Sequence, residues 1–136
     1  MNRIFEEMTR AAVLPPQEVA AATQTATSFV DVSGTGEVEF LISTGALAGG
    51  EKLTVELHAS AAADGTGSVK IGEAVFTASS AMTAAVAVVS YRPAAANGRY
   101  VGVKFKHDAA AAVVCGATAC ARAGYLPAAS GWTLAV

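Results

Sequence analysis

The chain reads as an all-β protein, a single antiparallel β-sandwich. Apolar and polar residues alternate in Val38-Glu39-Phe40-Leu41-Ile42, in Leu53-Thr54-Val55-Glu56-Leu57 and in Val101-Gly102-Val103-Lys104-Phe105. A period of two sends one side of a strand into a core and the other into water. Clusters of Gly, Pro, Asn, Asp and Ser interrupt these runs at intervals of about ten residues, the spacing of short strands in a sandwich or barrel. No helical period separates any two strands beyond Thr27, which argues against a parallel sheet with crossover helices.

The N-terminal stretch differs from the rest. Asn2 can cap a helix whose first turns carry Glu6 and Glu7, and Ile4, Phe5, Met8, Ala11 and Ala12 recur at three- and four-residue spacing. Pro15 and Pro16 end that pattern, and Pro16 can open a second short turn running to Ala22. The expectation is a short N-terminal helical arm over residues 1–26, ahead of a β-sandwich domain over residues 27–136 with a short C-terminal tail. The arm can dock on its own domain, extend to a neighbour, or be a disordered end.

Strands follow in order. Phe29, Val30 and Val32 begin one that stops at Ser33-Gly34-Thr35-Gly36, and residues 37–42 form the next, with Val38, Phe40 and Ile42 inward. Residues 45–50 turn into a strand at 52–58 that buries Leu53, Val55 and Leu57. Residues 60–72 read as a long loop with a short strand at 69–71, and 74–77 as another short strand. Residues 83–92 form a strand with Val86 and Val88 on one face and Val89 and Tyr91 on the other. Asn97-Gly98 is the strongest tight-turn dipeptide, followed by a strand at 99–106 and a last one over about 112–125. Phe29, Phe40, Phe76 and Phe105 fall on expected core faces, whereas Phe5 and Trp132 lie in the terminal segments.

Composition narrows the function. The chain has 136 residues, of which 53% are hydrophobic and 15% charged, with a formal net charge of −2. That length is one domain. The charged share is below the usual quarter, so much of the surface is Ala, Gly, Ser and Thr. Such a surface suits a protein packed against others, and it equally reflects a bias toward Ala. No Lys/Arg run exists, which argues against a nucleic-acid partner. The apolar stretch 109–121 is too short and too weakly hydrophobic for a membrane span, and Glu6, Glu7 and Arg10 occupy the place of a signal peptide's apolar core. The expectation is a protein made and kept, or assembled, in the cytoplasm.

Catalytic and metal motifs are missing. Cys115 and Cys120 are five residues apart in one strand, hence on opposite faces, and are expected as reduced, partly buried thiols with no ligand-spaced His or acid beside them. His58 and His107 lie at strand ends, where a solvated side chain is the plain reading. No G-x-S-x-G elbow is present, and Gly34-Thr35-Gly36 and Gly65-Thr66-Gly67 lack the lysine and following helix of a phosphate loop, so they read as turns. Glu37 and Glu39 share a solvated face. No catalytic residue, cofactor or metal site is assigned, and the expectation is a binding protein, not an enzyme. Aromatic and apolar residues outside the β pattern anchor interfaces or lid a core; Ile4, Phe5, Met8 and Trp132 are the candidate interface residues.

The order of segments resembles the head-decoration (cement, or capsid-stabilising) proteins of tailed bacteriophages. The resemblance covers residues 27–126. It rests on the Gly-rich turn into Val38-Glu39-Phe40-Leu41-Ile42, the strand Leu53-Thr54-Val55-Glu56-Leu57 before Ser60 and Asp64-Gly65-Thr66-Gly67, and the short Ala74-Val75-Phe76 strand. Gly98-Arg99-Tyr100-Val101-Gly102-Val103 and the Ala-rich close on Ala123-Gly124-Tyr125 complete it. The helical start departs from the shorter extended one of such proteins. The resemblance implies a jelly-roll-like sandwich and a virion structural protein on the capsid exterior. Its partner would be the major capsid protein, and it would be a homo-oligomer with a trimer favoured. It transfers no functional residue. The alternative is a ligand- or carbohydrate-binding sandwich module of a phage tail or adhesin.

Overall fold

The computed structural model describes residues 8–123. Nine strands are present among them: β1 Met8–Val19, β2 Thr25–Ala26, β3 Val30–Asp31, β4 Thr35–Thr44, β5 Lys52–Ser60, β6 Val69–Thr77, β7 Ala85–Tyr91, β8 Tyr100–His107 and β9 Val113–Ala123. All pair antiparallel. The first sheet has the order β1-β9-β4-β7; in the second, β2 and β3 both pair with β8, followed by β5 and β6. If β2 and β3 count as one interrupted strand, the two sheets hold four strands each. Apart from the β5–β6 hairpin, the connections cross between sheets. That is a jelly-roll arrangement.

The alternating runs sit where their period puts them. Val38, Phe40 and Ile42 of β4 are buried against Leu53, Val55 and Leu57 of β5 and Val101, Val103 and Phe105 of β8. Phe40 faces Ala119 across one ladder and Val89 across the other, so large and small residues alternate through the layer.

The N-terminal segment corrects the helical expectation. Met8–Val19 is a 12-residue strand paired with β9 along its length, so it belongs to the sandwich. Of the three- and four-residue stripe, Met8, Ala11 and Ala12 lie in this strand, and small or unbranched residues of that kind pack equally well in a strand. Val13, Leu14 and Val19 are the residues the fold buries. Pro15 and Pro16 do not end the element: the single register shift between Leu14 and Gln17 absorbs both. An edge strand tolerates proline because its outer N–H groups need no partner.

Two further boundaries differ. Residues 69–77 form one nine-residue strand across Gly72, because β5 pairs with both halves and a register shift between Leu57 and His58 takes up the irregularity. The strand expected at 29–32 shrinks to Val30–Asp31. Ahead of it, Thr27 bridges β2 and β3: its N–H donates to Val103 O at 2.9 Å and its Oγ1 accepts from Val103 N–H at 3.0 Å. A side chain thus replaces one rung of the ladder.

Turn chemistry follows expectation at Gly34, Gly65 and Gly67, which have φ of +72°, +80° and +69°. Asn97-Gly98 ends a single 3-10 turn, Ala95–Asn97. Gly98 has φ +102°, and a Cβ there would meet Ser60 O at 2.8 Å, so both conformation and space demand glycine.

Candidate functional site

Both histidines depart from the solvated reading. His107 is 1% exposed. Ala109 N–H donates to its Nδ1 at 3.2 Å, which places the proton on Nε2, and Nε2 donates to Val19 O at 2.7 Å. His107 thereby ties the end of β1 to the end of β8. His58 is also buried, on the outer side of β5, with Nε2 2.9 Å from Glu56 Oε2. Its Nδ1 lies 3.4 Å from Ser68 Oγ, a long hydrogen bond. Glu56 also accepts from Gln24 Nε2 at 3.2 Å and lies 3.7 Å from Lys70, which pairs with Glu73 at 2.6 Å. This polar network binds β5, β6 and the 61–68 loop together.

Hydrogen bonding to His58 above all, with Lys70 adding to it, holds the Glu56 carboxyl below its ordinary range. The bidentate Arg99 guanidinium does the same more strongly for Asp31, and Thr66 does so for Asp64. Carboxyls depressed in the fold stabilise it above their unfolded pKa of about 4, and that contribution is lost as pH falls through the folded value. The melting temperature is therefore expected to drop as pH is lowered from about 5 to about 2. Glu56→Gln should flatten that dependence in a thermal-melt series. An unchanged slope would remove Glu56 as a cause.

The cysteines lie on opposite faces as expected, and both are free and buried. Cys115 points into the core, while Cys120 lies on the outer face between Glu39 and Arg10. Burial pushes both thiols above their usual range. Among the described residues no group of three or more His, Cys, Asp or Glu is placed to hold a metal. Within them, no helix is long and apolar enough to cross a membrane.

Two phenylalanines also move from their expected place. Phe29 lies outside the core, with its ring against Gly65 and Gly102; a Cβ on either would come within 2.6 Å of it. Phe76 stands at the β6 edge and is exposed.

The feature that a partner could use is the outer face of the first sheet. Register places Val88, Leu41, Thr118 and Ala12 side by side across β7, β4, β9 and β1. The next row holds Val86, Ser43 and Gly116. Neither row carries a charge. Val86, Val88 and Val114 are 61%, 47% and 51% exposed on this face. A groove of about 360 Å³ runs beside Pro16, Ser43, Val114, Gly116 and Thr118. It lies where the Pro15-Pro16 irregularity brings β1 close over the smallest residue of β9: a Cβ on Gly116 would lie 3.4 Å from Pro16 Cα.

The other end of the same face is charged. Arg10, Cys120 and Glu39 form one cross-strand row, and Met8, Arg122 and Glu37 another. Glu37 and Glu39 share this face as expected, with Ser90 Oγ donating to Glu37 at 2.7 Å. Met8, one of the candidate interface residues, is half-buried here beside a cleft of about 160 Å³. Ile4, Phe5 and Trp132 lie outside the described residues. The apolar rows were not singled out from the sequence. Their signal was there: residues 85–91 are apolar on both faces, the pattern of a central strand, yet β7 is an edge.

No protein-family model matches the chain, and no curated protein matches it in sequence. Solved structures match in fold. The PBSX exported protein XepA superposes over 100% of this chain with a TM-score of 0.60 at 11% identity; this chain spans 44% of that protein's length. A chain of the naturally occurring empty particles of cowpea mosaic virus matches with a TM-score of 0.51 at 10% identity, over 100% of this chain and 92% of that one. At such identities the likeness is one of fold: the antiparallel β-sandwich of this chain is also found in a viral particle.

Proposed function

We propose that this chain is a non-catalytic structural protein of a bacteriophage virion, which decorates and stabilises the capsid exterior by docking on the lattice of the major capsid protein. The observation that carries the reading is the uncharged half of the outer face of the first sheet, with its groove beside Pro16 and Val114. An apolar patch bordered on one side by charged residues matches the apolar core and polar margin of a protein interface. Support also comes from the segment order shared with decoration proteins and from a fold that cowpea mosaic virus particles contain. Repetition on a symmetric lattice lets many modest contacts act together.

Purified protein mixed with undecorated capsids is expected to co-sediment at a fixed stoichiometry. Val114→Asp, which puts a charge beside the groove on an already exposed position, should weaken that binding at least about tenfold by burying an unpaired carboxylate. Absence of co-sedimentation by the unaltered protein would overturn the proposal.

A further inference from the structure

The two sheets end in four edges, and three of them carry features that block further pairing. β1 contains Pro15 and Pro16 and two register shifts. β2 and β3 are two residues each. β6 has Lys70, Gly72, Glu73 and a register shift. Charge, proline, bulges and shortness are the usual protections of an edge. β7 has none: Ala85–Tyr91 contains no charge, glycine or proline, and its ladder to β4 is unbroken from Val38 to Thr44. Among the described residues, the backbone of β7 bonds to β4 alone.

We propose that β7 pairs with β7 of a second copy of this chain, antiparallel about a two-fold axis at Val88, joining two first sheets into one. In a two-fold strand pair, opposed residues must lie on the same face, so a residue meets its own copy at the axis. Centred on Val88, the register sets Val86 against Ser90 and Val88 against Val88 on the outer face. On the inner face it sets Ala87 against Val89 and Ala85 against Tyr91. Every inner pair then matches a small residue with a large one, and no like charges oppose. The Tyr91 ring is already fixed, since its hydroxyl accepts from Ala94 N–H at 3.2 Å and Asn97 Nδ2 at 3.1 Å. The pairing covers the edge of the exposed Val86 and Val88 and carries the Val88-Leu41-Thr118-Ala12 row unbroken across the axis, while the Val86 row meets Ser90 in the row that holds Glu39 and Arg10. It is two-fold, unlike the three-fold association that the decoration-protein resemblance implies, and it does not depend on capsid docking.

Sedimentation equilibrium across a concentration series tests it. The unaltered protein should run as a reversible dimer. V88K brings two lysines face to face at the axis, where like charges repel, and should weaken dimerisation at least about tenfold. Mixing V88K with V88E should restore a dimer. V86K, at a more exposed position, is the second variant and should weaken it too. V75K on the β6 edge and V114D in the groove should leave the dimer intact. Thermal melts check that each variant is folded. The proposal is overturned by a monomeric unaltered protein, by a V88K dimer of unchanged affinity, or by loss of the dimer in V75K.

Discussion

Phe40→Ala is expected to remove about 3–5 kcal/mol of stability, the range for truncating a fully buried aromatic residue. Phe40 has 0% exposure at the centre of the first sheet. Its cross-strand neighbours are Ala119 and Val89, both too small to close over the space vacated. β9 on one side is fixed by ladders to both β1 and β4, and β7 on the other by an unbroken ladder to β4, so neither backbone closes over the space and the cavity persists. A domain of this size has about 5–15 kcal/mol in all, so the variant should sit near its unfolding threshold. In urea, the midpoint should fall with the slope unchanged, and the melting temperature should drop by about 10–20 °C. A loss under about 1 kcal/mol would mean that the two sheets are not packed as described.

His107→Leu should have the second largest effect, about 2–4 kcal/mol, and for a different reason. Leucine fills the space but leaves Val19 O and Ala109 N–H without their partners at a site 1% exposed. Each unsatisfied buried backbone group costs about 1–3 kcal/mol. The damage should also be local. Because His107 clasps the end of β1 to the end of β8, amide exchange should quicken first in Met8–Val19, while β5 stays protected. His107→Gln, which can restore one bond, should recover part of the loss. Equal stability of the leucine variant would show that the histidine is a mere filler.

These residues also show where reading the chain in one dimension works. Phe40 was legible: it sits in phase with Val38 and Ile42 and opposite Glu37 and Glu39, and a period of two tells which side is inward. The same holds for Leu53, Val55, Leu57, Val101, Val103 and Phe105, and for the turns at Gly34, Gly65 and Gly98, where local backbone demand selects the residue. His107 was not legible. Its partners, Val19 O and Ala109 N–H, are backbone groups with no sequence identity, one of them 88 positions away. The first strand failed for a related reason. Alanines at helical spacing suit either element, and what decides is whether β9 offers a free ladder beside them.

The candidate site divides in the same way. That residues 85–91 are apolar on both faces is a property of the sequence. That this strand lies at an edge, unpaired on one side and exposing Val86 and Val88, is a property of the order β1-β9-β4-β7. The sequence by itself determined the fold class, the inward faces of the central strands and the separation of the two cysteines, because each depends on the period of side chains along one strand. The tertiary structure decided the first strand, the burial of both histidines, the groove beside Pro16 and the open edge. Each of those depends on which strand lies beside which, and long-range pairing between strands leaves no local periodic mark.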